Sequence, residues 1–182
     1  MARTVLLLGR PGAGKETQAQ ILEARGYRRF STGEALRREA QTESENGRKI
    51  RDHLERGELV GTELVAPLEE RFMALVGASE PLVLDGMVRS ARQIQPVETL
   101  LARYGRRPEV ILLEVSRGEA ERRLRGRGRV DDEASVVRQR QEAFDRHIEA
   151  VAETYEGQGV LYRVDGEQSA TAVATQIEKA LG

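Results

Sequence analysis

The chain has 182 residues, 32% of them charged, but its formal net charge is only -1, so no overall field draws it toward nucleic acid or an anionic membrane. It has no cysteine, which excludes disulfides, thiolate nucleophiles and cysteine zinc sites, and with aromatics at 4% the core must be built from Leu, Val, Ile and Ala. Lysine occurs only at Lys15, Lys49 and Lys179, so nearly every cation is an arginine, whose planar fork suits phosphate.

The first predicted element is a strand over residues 4–8, read from the apolar run ending Val5-Leu6-Leu7-Leu8. That run is too short for a signal core, and no small-residue cleavage site follows it. Nothing along the chain reaches membrane-spanning length, so a cytoplasmic protein of one domain, residues 1–182, is expected. Next comes Gly9-Arg10-Pro11-Gly12-Ala13-Gly14-Lys15, between that strand and a helix. In this frame glycines let backbone N–H groups turn inward around phosphate oxygens. The helix N-terminus adds its partial positive charge, and Lys15 reaches the outer phosphates. The strict pattern then wants Ser or Thr to hold magnesium, whereas this chain has Glu16, followed by Thr17 and Gln18. A carboxylate turned toward phosphates would be repelled, so Glu16 is expected to face solvent in the first helical turn. The alternative is an outer contact to magnesium through water.

A short strand is predicted at 29–30 and the next at 81–84. The roughly fifty residues between them exceed what one crossover helix needs, so a small helical insert is expected. Further strands are read at 109–115 and 160–164. A helix at 135–155 puts Val137, Phe144, Ile148, Val151 and Tyr155 on one face, after the acidic run Asp131-Asp132-Glu133 that suits a helix N-terminus. A last helix at 171–181 turns Val173, Ile177 and Leu181 inward. Strands alternating with helices predict an α/β domain with a parallel sheet. The five arginines from Arg122 to Arg129 would suggest RNA if they stood alone. Glu119, Glu121 and the acids from Asp131 offset that field, and no aromatics interleave for base stacking, so no nucleic-acid partner is expected. His53 and His147 lie among charged helical residues and read as surface or packing residues.

These motifs resemble the adenylate kinase family of nucleoside monophosphate kinases. The family's loop is GxPGAGKGTQ, so the missing Ser/Thr after the lysine is a family trait, although Glu16 stands where the family has Gly. Ser31-Thr32-Gly33-Glu34 with Leu36-Arg37 resembles STGDxLR. Gly57-Glu58-Leu59-Val60 resembles the far side of the acceptor insert. Leu84-Asp85-Gly86 with Met87-Val88-Arg89-Ser90 resembles LDGFPRT with its proline lost, which predicts a trans Met87–Val88 bond. Arg129, Asp131, Asp132 and Arg140 resemble GRxDD…VRxR.

The resemblance implies a P-loop kinase with a five-stranded parallel sheet, helices on both faces, an acceptor-binding insert at 31–60 and a vestigial lid at 126–132. There only Gly128 separates Arg127 from Arg129. It implies that residues 9–17 hold ATP phosphates, with Gly12, Ala13, Gly14, Lys15, Glu16 and Thr17 in contact and Arg123, Arg127 and Gln168 assigned with them. AMP falls to Thr32, Arg37, Glu58, Leu59, Val60, Gly86, Arg89, Gln93, Arg129 and Arg140, and Asp85 stands near Mg through water. Lys15, Arg89, Arg123, Arg129 and Arg140 are the catalytic charges. No general base is needed, because the acceptor is already a phosphate oxyanion, and a monomer is expected. Thr32 and Gln93 together favour AMP over UMP or CMP. A kinase for another monophosphate, or a nucleotide-binding protein with little turnover, remains an alternative reading of Glu16, Val88 and the short lid.

Overall fold

The computed structural model describes residues 2–126 and 133–182. Five strands, β1 (Thr4–Gly9), β2 (Arg28–Ser31), β3 (Leu82–Asp85), β4 (Glu109–Glu114) and β5 (Leu161–Asp165), form one sheet in the order β2-β3-β1-β4-β5. Every pairing is parallel. Parallel strands need crossover connections: α1 (Lys15–Ala24) joins β1 to β2, α5 (Ile94–Arg103) joins β3 to β4, and α6 (Arg117–Arg125) with α7 (Ala134–Gly157) joins β4 to β5, while α8 (Ala170–Leu181) follows the last strand and packs back on the sheet. The remaining helices, α2 (Thr32–Glu39), α3 (Glu45–Glu55) and α4 (Thr62–Met73), fill the long segment between β2 and β3.

The period-two alternation of a strand sorts the core into two layers. Leu6, Leu8, Leu84 and Leu112 point to one face, where Val97 and Leu101 of α5 and Val151 and Tyr155 of α7 cover them. Val5, Leu7, Val83 and Ile111 point to the other, against Ala19 and Leu22 of α1, Ala120 of α6 and Ile177 of α8. Val5, Leu6 and Leu7 are fully buried, which is why β1 reads as an unbroken apolar run and not as an alternating one. The edge strand β5 differs: Tyr162 and Arg163 are exposed, and Arg163 bonds Glu156 and Glu114 across the rim.

A third, separate core of Leu36, Ala40, Ile50, Val60, Leu64 and Val65 holds α2, α3 and α4 together. The predicted insert is therefore a small helical unit with its own apolar centre. Ser31 caps α2 and Ser44 caps α3, each accepting from a backbone N–H three residues on. The predicted helix at 135–155 extends by one residue at its start and two at its end. Glu133 is its cap residue and accepts from Ser135 Oγ, while Asp131 and Asp132 lie outside the described residues. No helix among the described residues is long and apolar enough to cross a membrane.

Candidate active site

The carboxyl ends of β1, β2 and β3 open onto a cavity of about 550 Å³. In open α/β sheets this edge is where ligands bind. Gly9, at the end of β1, leads into the loop Gly9–Gly14, and α1 starts directly after it. Gly12 has a φ of +87°, and a Cβ there would collide with the carbonyl oxygen of Ala120 in α6. Only glycine suits that turn. Gly14 caps α1 without any side-chain bond, and the first turn of the helix, Lys15 to Thr17, lines the cavity. Lys15 Nζ donates to the carbonyl oxygens of Gly9 at 2.6 Å and Arg10 at 3.1 Å, folding its charge back over the loop. Arg123 approaches from α6, donating Nε to Glu119 and Nη1 to the carbonyl oxygen of Gly166 at 2.9 Å. Its tip passes above the loop, 3.9 Å from where a Gly14 Cβ would stand. Glu119 bonds both Arg122 and Arg123, and those two bonds hold its carboxyl well below the usual carboxylate range.

The opposite wall carries two more cations. A Cβ on Gly33 would stand 3.3 Å from Arg37 Nη1 and 3.8 Å from Arg89 Nη2, so both guanidinium groups converge beside that glycine. Arg89 Nε donates to the carbonyl oxygen of Gly86 at 3.3 Å. Burial pulls the Arg89 pKa down, as does the neighbouring Arg37 charge, while Asp85 and Glu69 act in the opposite sense. Asp85 ends β3 in register with Ser31 of β2 and Leu7 of β1. It is 8% exposed and accepts from Ser31 Oγ at 3.3 Å.

Of the residues the sequence pointed to, Gly12, Gly14, Lys15, Glu16, Thr17, Arg37, Glu58, Leu59, Asp85, Gly86, Arg89, Arg123 and Arg140 all line this one cavity. Glu16 was expected to face solvent; it is half-buried on the cavity wall. Ala13 packs into the core behind the loop, and Val60 belongs to the core of the insert. Thr32 is buried beneath the cavity wall, with its Oγ1 lacking a partner among the described residues. Gln93 accepts from the backbone N–H of Arg89 at 2.8 Å, and so ties the Arg89 turn to the following helix. Gln168 is exposed, outside the cavity lining, and donates to Asp165. Arg127 and Arg129 lie outside the described residues, as does the segment expected to form the lid beyond Gly126. The Met87–Val88 bond is trans, and Val88 lines the cavity.

Sequence reasoning missed Arg10, Gln141 and Asp145. Arg10 donates to Gln141 Oε1 at 3.1 Å and to Asp145 Oδ1 at 3.0 Å, and its guanidinium lies 5.1 Å from the centre of the Phe144 ring. The available signal was Gln141 itself, a polar residue standing between Val137 and Phe144 in an otherwise apolar helical stripe.

The family model described as "Adenylate kinase" matches residues 7–160. The chain is 37% identical over 184 residues to the adenylate kinase of a Synechococcus strain, an alignment covering 100% of both chains. It is 35% identical to adenylate kinase 1 of a Synechocystis strain, over 98% of this chain and 97% of that one. Against the adenylate kinase of Thermus thermophilus it is 36% identical, over 100% of this chain and 98% of the relative.

Proposed function

The chain belongs to the adenylate kinase family, and from that premise we propose that it transfers the γ-phosphoryl group of ATP to AMP, reversibly, giving two ADP. The observation that carries this reading is the single cavity with a phosphate-binding loop on one wall and the Arg37–Arg89 pair on the other. Two anionic substrates can therefore meet between two cationic walls.

In this reading the loop N–H groups and the start of α1 hold the donor phosphates. Lys15 leaves its two loop carbonyls for the outer phosphate oxygens. Arg37 and Arg89 hold the phosphate of AMP, and Arg123 with Arg140 adds charge around the group in flight. An AMP phosphate oxygen forms the new bond to phosphorus while the bond from the γ-phosphorus to the bridging oxygen breaks, leaving its electrons on the β-phosphate. The attacking oxygen is already an oxyanion, so no side chain has to remove a proton. What remains is positioning and charge neutralisation, which is the greater part of phosphoryl-transfer catalysis. Arg127 and Arg129 would join this set by resemblance.

The donor set fits a magnesium ion. Asp85 offers one buried carboxylate that would hold the ion through water, and the described residues contain no cluster of three ligating side chains, so nucleotide phosphates and water would form the shell itself. When bound, the ion would supply charge neutralisation at the phosphates. By resemblance Thr32 and Gln93 support AMP as the acceptor, although neither side chain lines the cavity and Gln93 Oε1 already accepts from the Arg89 N–H.

The test is a coupled assay with ATP and each of AMP, CMP and UMP. AMP should be the best acceptor. Better turnover with CMP or UMP would move the chain to another acceptor, and ATP binding without transfer to any of them would leave a nucleotide-binding protein.

A further inference from the structure

We infer that Gln141, acting with Arg10, is a positioning residue that bolts the phosphate loop to α7 and so sets the resting aim of Lys15. Gln141 is completely buried, although its helical position belongs to an apolar stripe. Both ends of its amide are used on the loop. Oε1 accepts from Arg10 Nη1 at 3.1 Å, and Nε2 donates to the carbonyl oxygen of Pro11 at 2.9 Å. One turn further along α7, Asp145 takes the other Arg10 amino group, and Phe144 lies under the guanidinium. The side chain of Arg10 and the carbonyl of Pro11 are thus both fixed from the same helix.

Between those two fixed points lies the carbonyl of Arg10, which accepts from Lys15 Nζ. A peptide clamped on both sides has little freedom to rotate, so the acceptor facing the lysine stays in place. The geometry also keeps the Arg10 charge beside Asp145, outside the cavity lining. A buried amide is costly wherever its partners are missing, and an apolar residue would fill this stripe without that risk. Holding the loop gives a reason for a glutamine at this site. α7 also carries Arg140 on the turn beside Gln141, so the same helix that bolts the loop delivers a cavity arginine.

This inference rests on the loop being the donor-phosphate site of the proposed kinase, and binding separates the two ideas. Tripolyphosphate and a non-hydrolysable ATP analogue should be titrated against the wild type, Gln141→Met and Arg10→Met. Wild-type turnover of ATP with AMP should be measured in parallel. Each variant should weaken both ligands by about tenfold while AMP affinity is kept, as expected when buried polar groups lose a partner. The double variant should cost no more than the larger single one, because both act through one clamp. Arg10→Met reaches the same clamp from the loop side, so a Gln141 variant that fails to fold does not end the test. Unchanged donor affinity in the folded variants, or equal weakening toward AMP, overturns the positioning role. If the wild type binds tripolyphosphate but does not transfer to AMP, the kinase reading falls while the clamp is still judged by the variants.

Discussion

Gly57 and Val136 meet backbone to backbone: a Cβ on Gly57 would stand 3.0 Å from the carbonyl oxygen of Val136 in the first turn of α7. The loop that follows α3 is thereby seated against the helix that also holds the phosphate loop. Gly57 has a φ of +66°, a conformation that strains any other residue.

Gly57→Ala should loosen this seat. The left-handed backbone alone costs an alanine roughly 1–2 kcal/mol, and the added methyl pushes the helical insert away from α7. If the insert carries AMP, its KM should rise by about 5- to 30-fold, with the KM for ATP nearly unchanged. Steady-state kinetics with each substrate varied in turn checks this. An unaltered AMP KM would mean the contact has no part in closing the acceptor side.

If Lys15 acts on the transferred group as proposed, Lys15→Met removes that charge. Charges of this kind contribute about 3–4 kcal/mol when they act on the transition state, so turnover should fall by about two to three orders of magnitude. The two loop carbonyls that Lys15 now engages at 2.6 and 3.1 Å become open to water. Thermal unfolding should shift little beside the loss in rate. Full activity in the variant would remove Lys15 from the chemistry.

Thr32 makes a two-sided test of acceptor recognition. Its Oγ1 is buried with no partner among the described residues. If the hydroxyl pairs with the base of AMP, Thr32→Val should raise the AMP KM by a factor corresponding to about 1–3 kcal/mol. The same variant should be no less stable than the wild type without nucleotide, because an unsatisfied group has been removed. A loss of stability with an unchanged AMP KM would assign Thr32 to the fold alone.

The sheet and the phosphate loop were legible because both are local. β1 is covered on two faces and so reads as one apolar run, and the glycine spacing lies within seven residues of it. The face of α7 was legible from Val137 to Tyr155 for the same reason. Arg10 was not, because its partners Gln141 and Asp145 lie 131 and 135 residues away, and no periodicity connects a loop to a distant helix. Glu69 was hidden in a different way. It sits in α4 beside Glu70 and Arg71, where a run of charges looks solvated, yet it is 4% exposed while Glu70 reaches out to Arg103.

That burial gives the last prediction. Glu69 Oε1 has no hydrogen-bond partner among the described residues. Burial pushes the Glu69 carboxyl up to about 7, against the opposing pull of the Arg89 charge. Below its ordinary value of 4.5 the group is protonated whether the chain is folded or not, and it contributes nothing to the pH dependence. Between 4.5 and about 7 the folded protein keeps a proton that the unfolded chain has released, so stability falls as pH rises. Above that window the penalty is complete, on the order of 3 kcal/mol. Glu69→Gln keeps the shape and removes the titration. Urea unfolding of both proteins from pH 4 to pH 8 should therefore show the variant gaining on the wild type across this window and staying ahead beyond it. If Arg89 holds the AMP phosphate as proposed, the same carboxylate competes with it for that charge, so the wild-type KM for AMP should rise above pH 7 more steeply than that of the variant. Stability curves that run parallel across the whole range would show that Glu69 does not titrate there, and the link to Arg89 would go with it.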